Sequence, residues 1–331
     1  MWCCYAYNRC FFLTNCIMIL SEYTSLIDKR QSFKDYLVVS TPQEFEEMRV
    51  KSEALEKKNL QKYLFRGINC AKYKLYSSAQ RIWLGNDLGK TGLSFESFVN
   101  GLISECYRNE NVLCSYFSRM GVVKNDWLML SFLQHYGAGT PLLDFTRHFK
   151  TALFFALDGV PSSPGTDISN YVSIYYYKAV DVANDKSTSV FKLAKEQSKI
   201  FQDWDKDGRL WSIVSYSNVT KDHETVLVPS YSHQSYIRRG NKLISIYTIA
   251  NLNSAAQRGE FVCNSNPTEP LESLWNNGPR KYISCIEIHR GLYNYILKNY
   301  MCVRSIEEAR KRYYPNERDL ACKIQQSALS F

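Results

Sequence analysis

The sequence lacks the common short motifs of metal, redox and nucleotide sites. No Cys-x-x-Cys pair occurs among the 11 cysteines, which argues against the usual zinc and dithiol sites. The five histidines form no pair at the i,i+4 spacing of a helical metal site. Neither a P-loop nor a G-x-G-x-x-G pattern is present, and their absence disfavours phosphate cradles of those two kinds.

Long apolar runs are also missing. No stretch of about 18 uninterrupted apolar residues occurs, so the sequence predicts no membrane-spanning helix. Cys106, Cys285 and Cys322 stand singly among apolar residues, as reduced thiols do in protein cores. We therefore expect a cytoplasmic protein.

The first 20 residues differ in composition from the rest, because they contain four of the cysteines and the apolar run Phe11–Leu20. This run is similar to a secretory signal, but Asn15 interrupts it and no small-residue cleavage site follows. We favour a translation start at Met18. The resulting prediction is a tail at 1–40 and a single domain at 41–331.

The composition indicates a folded chain with a basic balance. Apolar residues make up 45% of it, 24 residues are tyrosine, and the formal net charge is +9. A basic excess attracts nucleotides or nucleic acid, and it is also common on ordinary solvated surfaces. No regular basic stripe with interleaved aromatic residues is present, which favours the second explanation.

The chain alternates between helical and strand periodicity, which predicts an α+β fold with a mixed sheet, a buried central helix and flanking helices. Thr41 and Glu44 form a capping box that predicts a helix at 42–60. A helix at 125–136 is apolar on almost every side and is expected to be the buried one. Other predicted helices lie at 94–107, 151–157, 291–300, 305–313 and 317–328, predicted strands at 63–67, 142–146, 171–178, 225–228, 243–249 and 282–288, and a polar elaboration with a helix at about 185–222.

Phe65-Arg66-Gly67, at the end of a predicted strand, is the first candidate for function. An arginine in such a position is costly to bury unless an anion or a carboxylate meets its guanidinium. Gly67 would let the backbone turn or approach a ligand closely. Two explanations stay open for Arg66: it binds an anionic ligand, or it pairs with a carboxylate inside the protein.

The second candidate is the polar block Gln134–Thr146, which runs from the end of the buried helix into a strand. Asp144 and Thr146 are two residues apart on that strand, so they share one face. Buried polar side chains need partners. These partners are either a ligand or an internal network in which Asp144 pairs with Arg66 or His135.

Together these segments resemble the FRG domain family over about 45–328. One departure is that Gly139-Thr140-Pro141 stands where the family usually has Pro-Thr-Arg, so an arginine is missing there. The matching segments are Phe65–Gly67, Gln134–Gly137, Leu142–Thr146 and Ala152–Ala156, with weaker matches at Gln257–Phe261 and in the tail Leu292–Ile324.

The order of these segments also resembles that of ADP-ribosyltransferases. This resemblance implies an NAD-binding enzyme with a protein or nucleic-acid acceptor, such as a toxin or anti-phage defence effector, and a fold of that kind. The alternative is a non-catalytic module that binds nucleotide or nucleic acid. The implied cofactor-binding residues are Arg66, Gly67, Asp144, Thr146 and Gln257, and the implied catalytic residues are His135 and Glu260.

Overall fold

The computed structural model describes most of the chain between residues 20 and 314. Residues 1–19, the predicted helix at 317–328 and much of the polar elaboration lie outside the described residues. The described ranges are 20–57, 63–109, 113, 125–160, 167–190, 193, 214–229, 231–239, 242–249 and 259–314.

Within these ranges the fold is built on an eight-stranded sheet with the strand order β1-β10-β4-β2-β3-β9-β6-β5 and on a separate hairpin, β7-β8. The pairs β1/β10 and β5/β6 are parallel, and the other pairs are antiparallel. The sheet is therefore mixed, as predicted. The strands are β1 (Tyr36–Val39), β2 (Tyr63–Ile68), β3 (Leu142–Thr146), β4 (Tyr171–Lys178), β5 (Thr188–Ser189), β6 (Thr225–Pro229), β7 (Tyr231–Arg239), β8 (Lys242–Ile249), β9 (Gly259–Asn264) and β10 (Ile283–His289).

Helices flank the sheet and complete the α+β fold. A π-helical turn, Ile296–Met301, continues one of them, and short 3-10 turns lie at Leu88–Thr91, Asp167–Asn170 and Arg290–Leu292. The α-helices are α1 (Leu26–Arg30), α2 (Pro42–Glu56), α3 (Ser78–Gly85), α4 (Phe95–Arg108), α5 (Asp126–His135), α6 (Phe149–Leu157), α7 (Ala179–Asp185), α8 (Tyr216–Thr220), α9 (Leu271–Asn276), α10 (Tyr293–Tyr295) and α11 (Ile306–Tyr313).

Local signals place two of the helices as predicted. At the start of α2, the Glu44 backbone N–H donates to Thr41 Oγ1 at 3.3 Å. The Glu44 side chain in return accepts from the Thr41 N–H at 3.0 Å, so the capping box is confirmed. Helix α5, which was predicted to be the buried central helix, buries five of its ten residues, including Trp127 and Met129, whereas α6 buries seven of its nine.

Residues 20–40, which were predicted to belong to a tail, form part of the fold. Strand β1 extends the sheet by pairing in parallel with β10. Helix α1 carries Lys29, whose side chain is fully buried against Glu287 of β10. The prediction rested on the unusual composition of the first 20 residues, whereas β1 and α1 are four and five residues long and are too short to give a periodic signal.

The sheet is only weakly joined at its centre. Strand β2 pairs with β4 from Tyr63 to Ile68, and β3 pairs with β9 along its whole length. Between β2 and β3, both fully described, the single paired position is Phe65 with Thr146. The two strands therefore separate beyond that pair and leave room between them.

None of the helices in the described part of the chain is long and apolar enough to cross a membrane.

Candidate functional site

A cavity of about 500 Å³ lies where β2 and β3 separate. Arg66, His135, Asp144 and Thr146 all line it. The volume falls within the range of roughly 300–1,000 Å³ that is usual for small-molecule sites. Gly67 lines it as well, so the structure brings five of the predicted site residues to one cavity.

Arg66 is held by an internal contact and also faces the cavity. Its Nη1 donates to the main-chain carbonyl of Asp144 at 2.6 Å and lies 3.6 Å from the Asp144 carboxylate. The side chain is 18% exposed, and among the residues that the structure describes its buried Nε has no hydrogen-bond partner. Burial lowers the pKa of Arg66, and the nearby Asp144 acts in the opposite direction. The internal pairing with Asp144 that the sequence suggested is therefore present, and the guanidinium also borders the cavity.

Asp144 is positioned by a chain of hydrogen bonds inside the polar block. Gln134 Nε2 donates to Asp144 Oδ2 at 2.5 Å. Thr140 Oγ1 in turn donates to Gln134 Oε1 at 2.5 Å. The Asp144 side chain is nevertheless 39% exposed, so this carboxylate is fixed on one side and accessible on the other.

His135 packs against an aromatic side chain, and Thr146 accepts a main-chain hydrogen bond. The His135 ring lies edge-on to Phe261, with 5.5 Å between ring centroids. Burial lowers the pKa of His135 and so favours the neutral imidazole, and the charge of Asp144 acts against that shift. Thr146 is buried, and its Oγ1 accepts from the His148 backbone N–H at 3.1 Å.

Gly67 has a packing function that the sequence did not reveal. A Cβ atom at this position would lie 1.8 Å from the Ala152 carbonyl oxygen and 2.6 Å from the Ala156 nitrogen, both in the backbone of α6. Strand β2 continues to Ile68, so the chain does not turn at Gly67 as was suggested. Although Gly67 also borders the cavity, the close approach of α6 is what requires a glycine here.

Glu260 does not line the cavity. Its neighbours Gly259 and Phe261 do, and successive side chains of a strand point to opposite faces. Glu260 Oε1 instead accepts from Arg147 Nε at 2.7 Å. Gln257, the other predicted residue of this segment, lies outside the described residues.

The described carboxylates that line the cavity are Asp144 and Asp158. Asp158 accepts a hydrogen bond from Arg310 Nε at 2.8 Å, so its charge is compensated by a partner on α11. Of these two carboxylates, Asp144 is therefore the one that contacts Arg66.

We expect the substitution Glu260→Gln to have no effect on binding of NAD, the ligand that the sequence resemblance implies, because Glu260 contacts Arg147 and not the cavity. Isothermal titration of wild type and variant measures this. Asp144→Asn is the matched control, since it makes the same chemical change inside the cavity and should weaken binding. A tenfold loss of affinity in Glu260→Gln would show that the placement of Glu260 is wrong.

Arg81 is a cavity residue that was not predicted from the sequence. It lies on α3, which starts with a capping box: Gln80 N–H donates to Ser77 Oγ, and Gln80 Oε1 accepts from the Ser77 N–H at 2.8 Å. This local signal was available in the sequence. The helix is docked by the Ala79 N–H, which donates to the Thr140 carbonyl at 2.9 Å.

Comparison with known proteins supports the FRG resemblance. Residues 61–163, about a third of the chain, match the model of the FRG domain family. The matched segment contains Arg66, Arg81 and the block Gln134–Thr146 but ends before Glu260. No curated protein and no solved structure was found to match the chain.

Proposed function

We propose that the protein binds a nucleotide in this cavity, that NAD is its ligand, and that Arg66 holds a phosphate. The observation that supports this most directly is the partly exposed guanidinium of Arg66, which lines the cavity. Its buried Nε has no hydrogen-bond partner among the described residues, and a buried donor without a partner costs about 1–3 kcal/mol. A phosphate oxygen that reaches the exposed part of the guanidinium would add charge-assisted hydrogen bonds that offset this cost.

The carboxylate of Asp144 does not occupy all the hydrogen-bond donors of the Arg66 guanidinium. At 3.6 Å from Nη1, it is beyond normal hydrogen-bond distance, and the direct bond goes to the main-chain carbonyl. A guanidinium has five N–H donors arranged as a fork that matches phosphate. Asp144 therefore acts as an orienting neighbour, which leaves donors for a ligand.

The remaining walls suit a planar ring. Aromatic side chains from several elements surround the cavity, and such surfaces stack with bases and nicotinamide rings. An apolar wall beside a guanidinium is the combination that a nucleotide requires, because its ring and its phosphate have opposite character. The aromatic lining residues are Phe65, Tyr73, Tyr76, Phe155, Phe261 and Tyr314.

Thermal melting of the full chain with NAD tests this proposal. A ligand at a concentration of 100 times its Kd stabilises the folded state by about 2.7 kcal/mol. The melting temperature of wild type should therefore rise by several degrees with NAD. Arg66→Gln should lose about 10- to 100-fold in affinity and most of the shift, since it removes charge-assisted hydrogen bonds.

Arg108→Gln is the matched control, because Arg108 is 73% exposed on α4, and it should melt with NAD like wild type. An equal shift in Arg66→Gln and wild type would contradict the proposal. A shift with an oligonucleotide but not with NAD, falling steeply with salt, would instead support the non-catalytic nucleic-acid module.

ADP-ribosyl transfer is the second function, and the accessible carboxylate of Asp144 beside Arg66 favours it. In this reaction the bond between nicotinamide and the ribose C1′ breaks, and its electron pair leaves with nicotinamide. A protein or nucleic-acid nucleophile then bonds to C1′ and loses its proton. An oxocarbenium-like sugar requires a nearby carboxylate, and Asp144 replaces Glu260 in this role. Such an activity would suit a toxin or anti-phage defence effector.

Release of nicotinamide from NAD measures this activity. We expect Asp144→Asn to reduce turnover at saturating NAD at least about 100-fold, because electrostatic stabilisation of this kind commonly contributes that much. Glu260→Gln should retain turnover. A wild-type protein that binds NAD but releases no nicotinamide with protein, DNA or RNA present would exclude the transferase and leave the binding proposal standing.

A further inference from the structure

Arg81 places a second guanidinium at the cavity that Arg66 borders. The first turn of α3 is anchored to the polar block: the Ala79 N–H and Ser78 Oγ both contact the Thr140 carbonyl, at 2.9 and 3.1 Å. Arg81 lies within the next turn of that helix. The position of Arg81 therefore depends on Thr140. The same residue begins the chain of hydrogen bonds that orients Asp144.

The charge of Arg81 is not neutralised by a carboxylate in the described part of the chain, where it forms no ion pair within 4.0 Å. Its Nε donates to the Tyr76 carbonyl at 3.3 Å. Its guanidinium lies 5.8 Å from the centre of the Tyr73 ring. These contacts hold the side chain in place and leave its charge uncompensated.

The two arginines are close enough to interact unfavourably. Burial is the main cause of the lowered pKa of Arg66, and the charge of Arg81 lowers it further. Asp158, the other carboxylate at the cavity, is paired with Arg310. Two like charges at one partly dry cavity raise the energy of the unliganded protein, and an anion that contacts both relieves it.

We infer that Arg66 and Arg81 together bind two linked phosphates, so the ligand belongs to the nucleoside diphosphates and their esters. This inference rests on the proposed function and specifies its ligand class. A monophosphate offers one anionic group that both guanidiniums must share, whereas a diphosphate offers one group for each. A diphosphate carries enough oxygen atoms to meet both forks at once.

Isothermal titration of the full chain with AMP, ADP and ADP-ribose tests the inference. We expect wild type to bind ADP and ADP-ribose at least about 10-fold more tightly than AMP, which is the size of one charge-assisted contact. Arg81→Gln should reduce the ratio of the affinity for ADP to the affinity for AMP (the ADP-to-AMP ratio) to less than about 3. Arg108→Gln, the exposed control, should keep the wild-type ratio and thereby separate a local contact from a change in net charge.

Arg81→Lys is the second variant, which keeps a cation but loses the fork and guards against misfolding in Arg81→Gln. We expect it to lower the ADP-to-AMP ratio at least about threefold. An unchanged ratio in the folded variants would overturn the role of Arg81. Equal affinity of wild type for AMP and ADP would overturn the diphosphate inference alone, whereas failure to bind any of the three would overturn the proposed function as well.

Discussion

Replacing Lys29 with methionine is expected to lower the free energy of unfolding by about 3–5 kcal/mol. Lys29 Nζ is fully buried, lies 2.7 Å from Glu287 Oε1 and donates to the Ala71 carbonyl at 2.8 Å and to Ser173 Oγ at 2.7 Å. Glu287 is also fully buried and accepts from Ser173 Oγ at 2.8 Å. Without the lysine, a carboxylate stays inside the protein with no opposite charge.

Urea denaturation measures the effect. Lys72→Met is the control, because the Lys72–Glu22 pair is partly exposed and should contribute about 0–1 kcal/mol. The double variant Lys29→Met/Glu287→Gln should recover part of the loss, since it removes the uncompensated charge. A change below 1 kcal/mol in Lys29→Met would mean that α1 is not an integral part of the domain.

Replacing Gly67 with alanine is expected to destabilise the protein by about 3 kcal/mol or more. The added Cβ would overlap the backbone of α6 at Ala152 and Ala156. Overpacking in a core commonly costs about 1–3 kcal/mol and sometimes more. Because the opposing atoms belong to a helix backbone and not to a flexible side chain, the helix itself must shift.

Gly101→Ala is a control that makes the same change with the opposite expected sign. Gly101 is an exposed residue within α4, and a Cβ there would meet nothing within 4 Å. Alanine in a helix interior is about 0.5–1 kcal/mol more favourable than glycine. Equal and small effects of the two substitutions in urea denaturation would contradict the packing role of Gly67.

All three residues of the Phe65-Arg66-Gly67 motif border the cavity, and Phe65 and Gly67 also contact α6. Phe65 packs on Phe149 of α6, with 5.9 Å between their ring centroids, and Gly67 lets the same helix approach. Arg66, between them, lines the cavity. One short motif thus fixes both the position of α6 and the direction of the guanidinium.

Features with local causes were predictable from the sequence. The capping box at Thr41 predicted the start of α2, and a short apolar run predicted Leu142–Thr146 with its observed bounds. Asp144 and Thr146, which their spacing predicted to share a face, both line the cavity. Each of these depends on neighbours within a few residues, which a single sequence contains.

Features that depend on distant contacts were not predictable. The segment containing Glu260 was identified from the sequence. The face of the strand on which Glu260 lies depends on the register of β9 with β3. A shift of that register by one residue would move the side chain to the opposite face. By its resemblance to the FRG family, the chain lacks an arginine around Thr140. The structure docks α3 against Thr140 and brings Arg81 to the cavity from about 60 residues earlier, a relation that no local pattern contains.

A crystal structure of the full chain with bound NAD tests the central claim most directly. We expect a phosphate oxygen within hydrogen-bond distance of the Arg66 guanidinium, with the ligand in the cavity between β2 and β3. Density for the ligand elsewhere, with Arg66 bonded only to the Asp144 carbonyl as it is without ligand, would contradict the account.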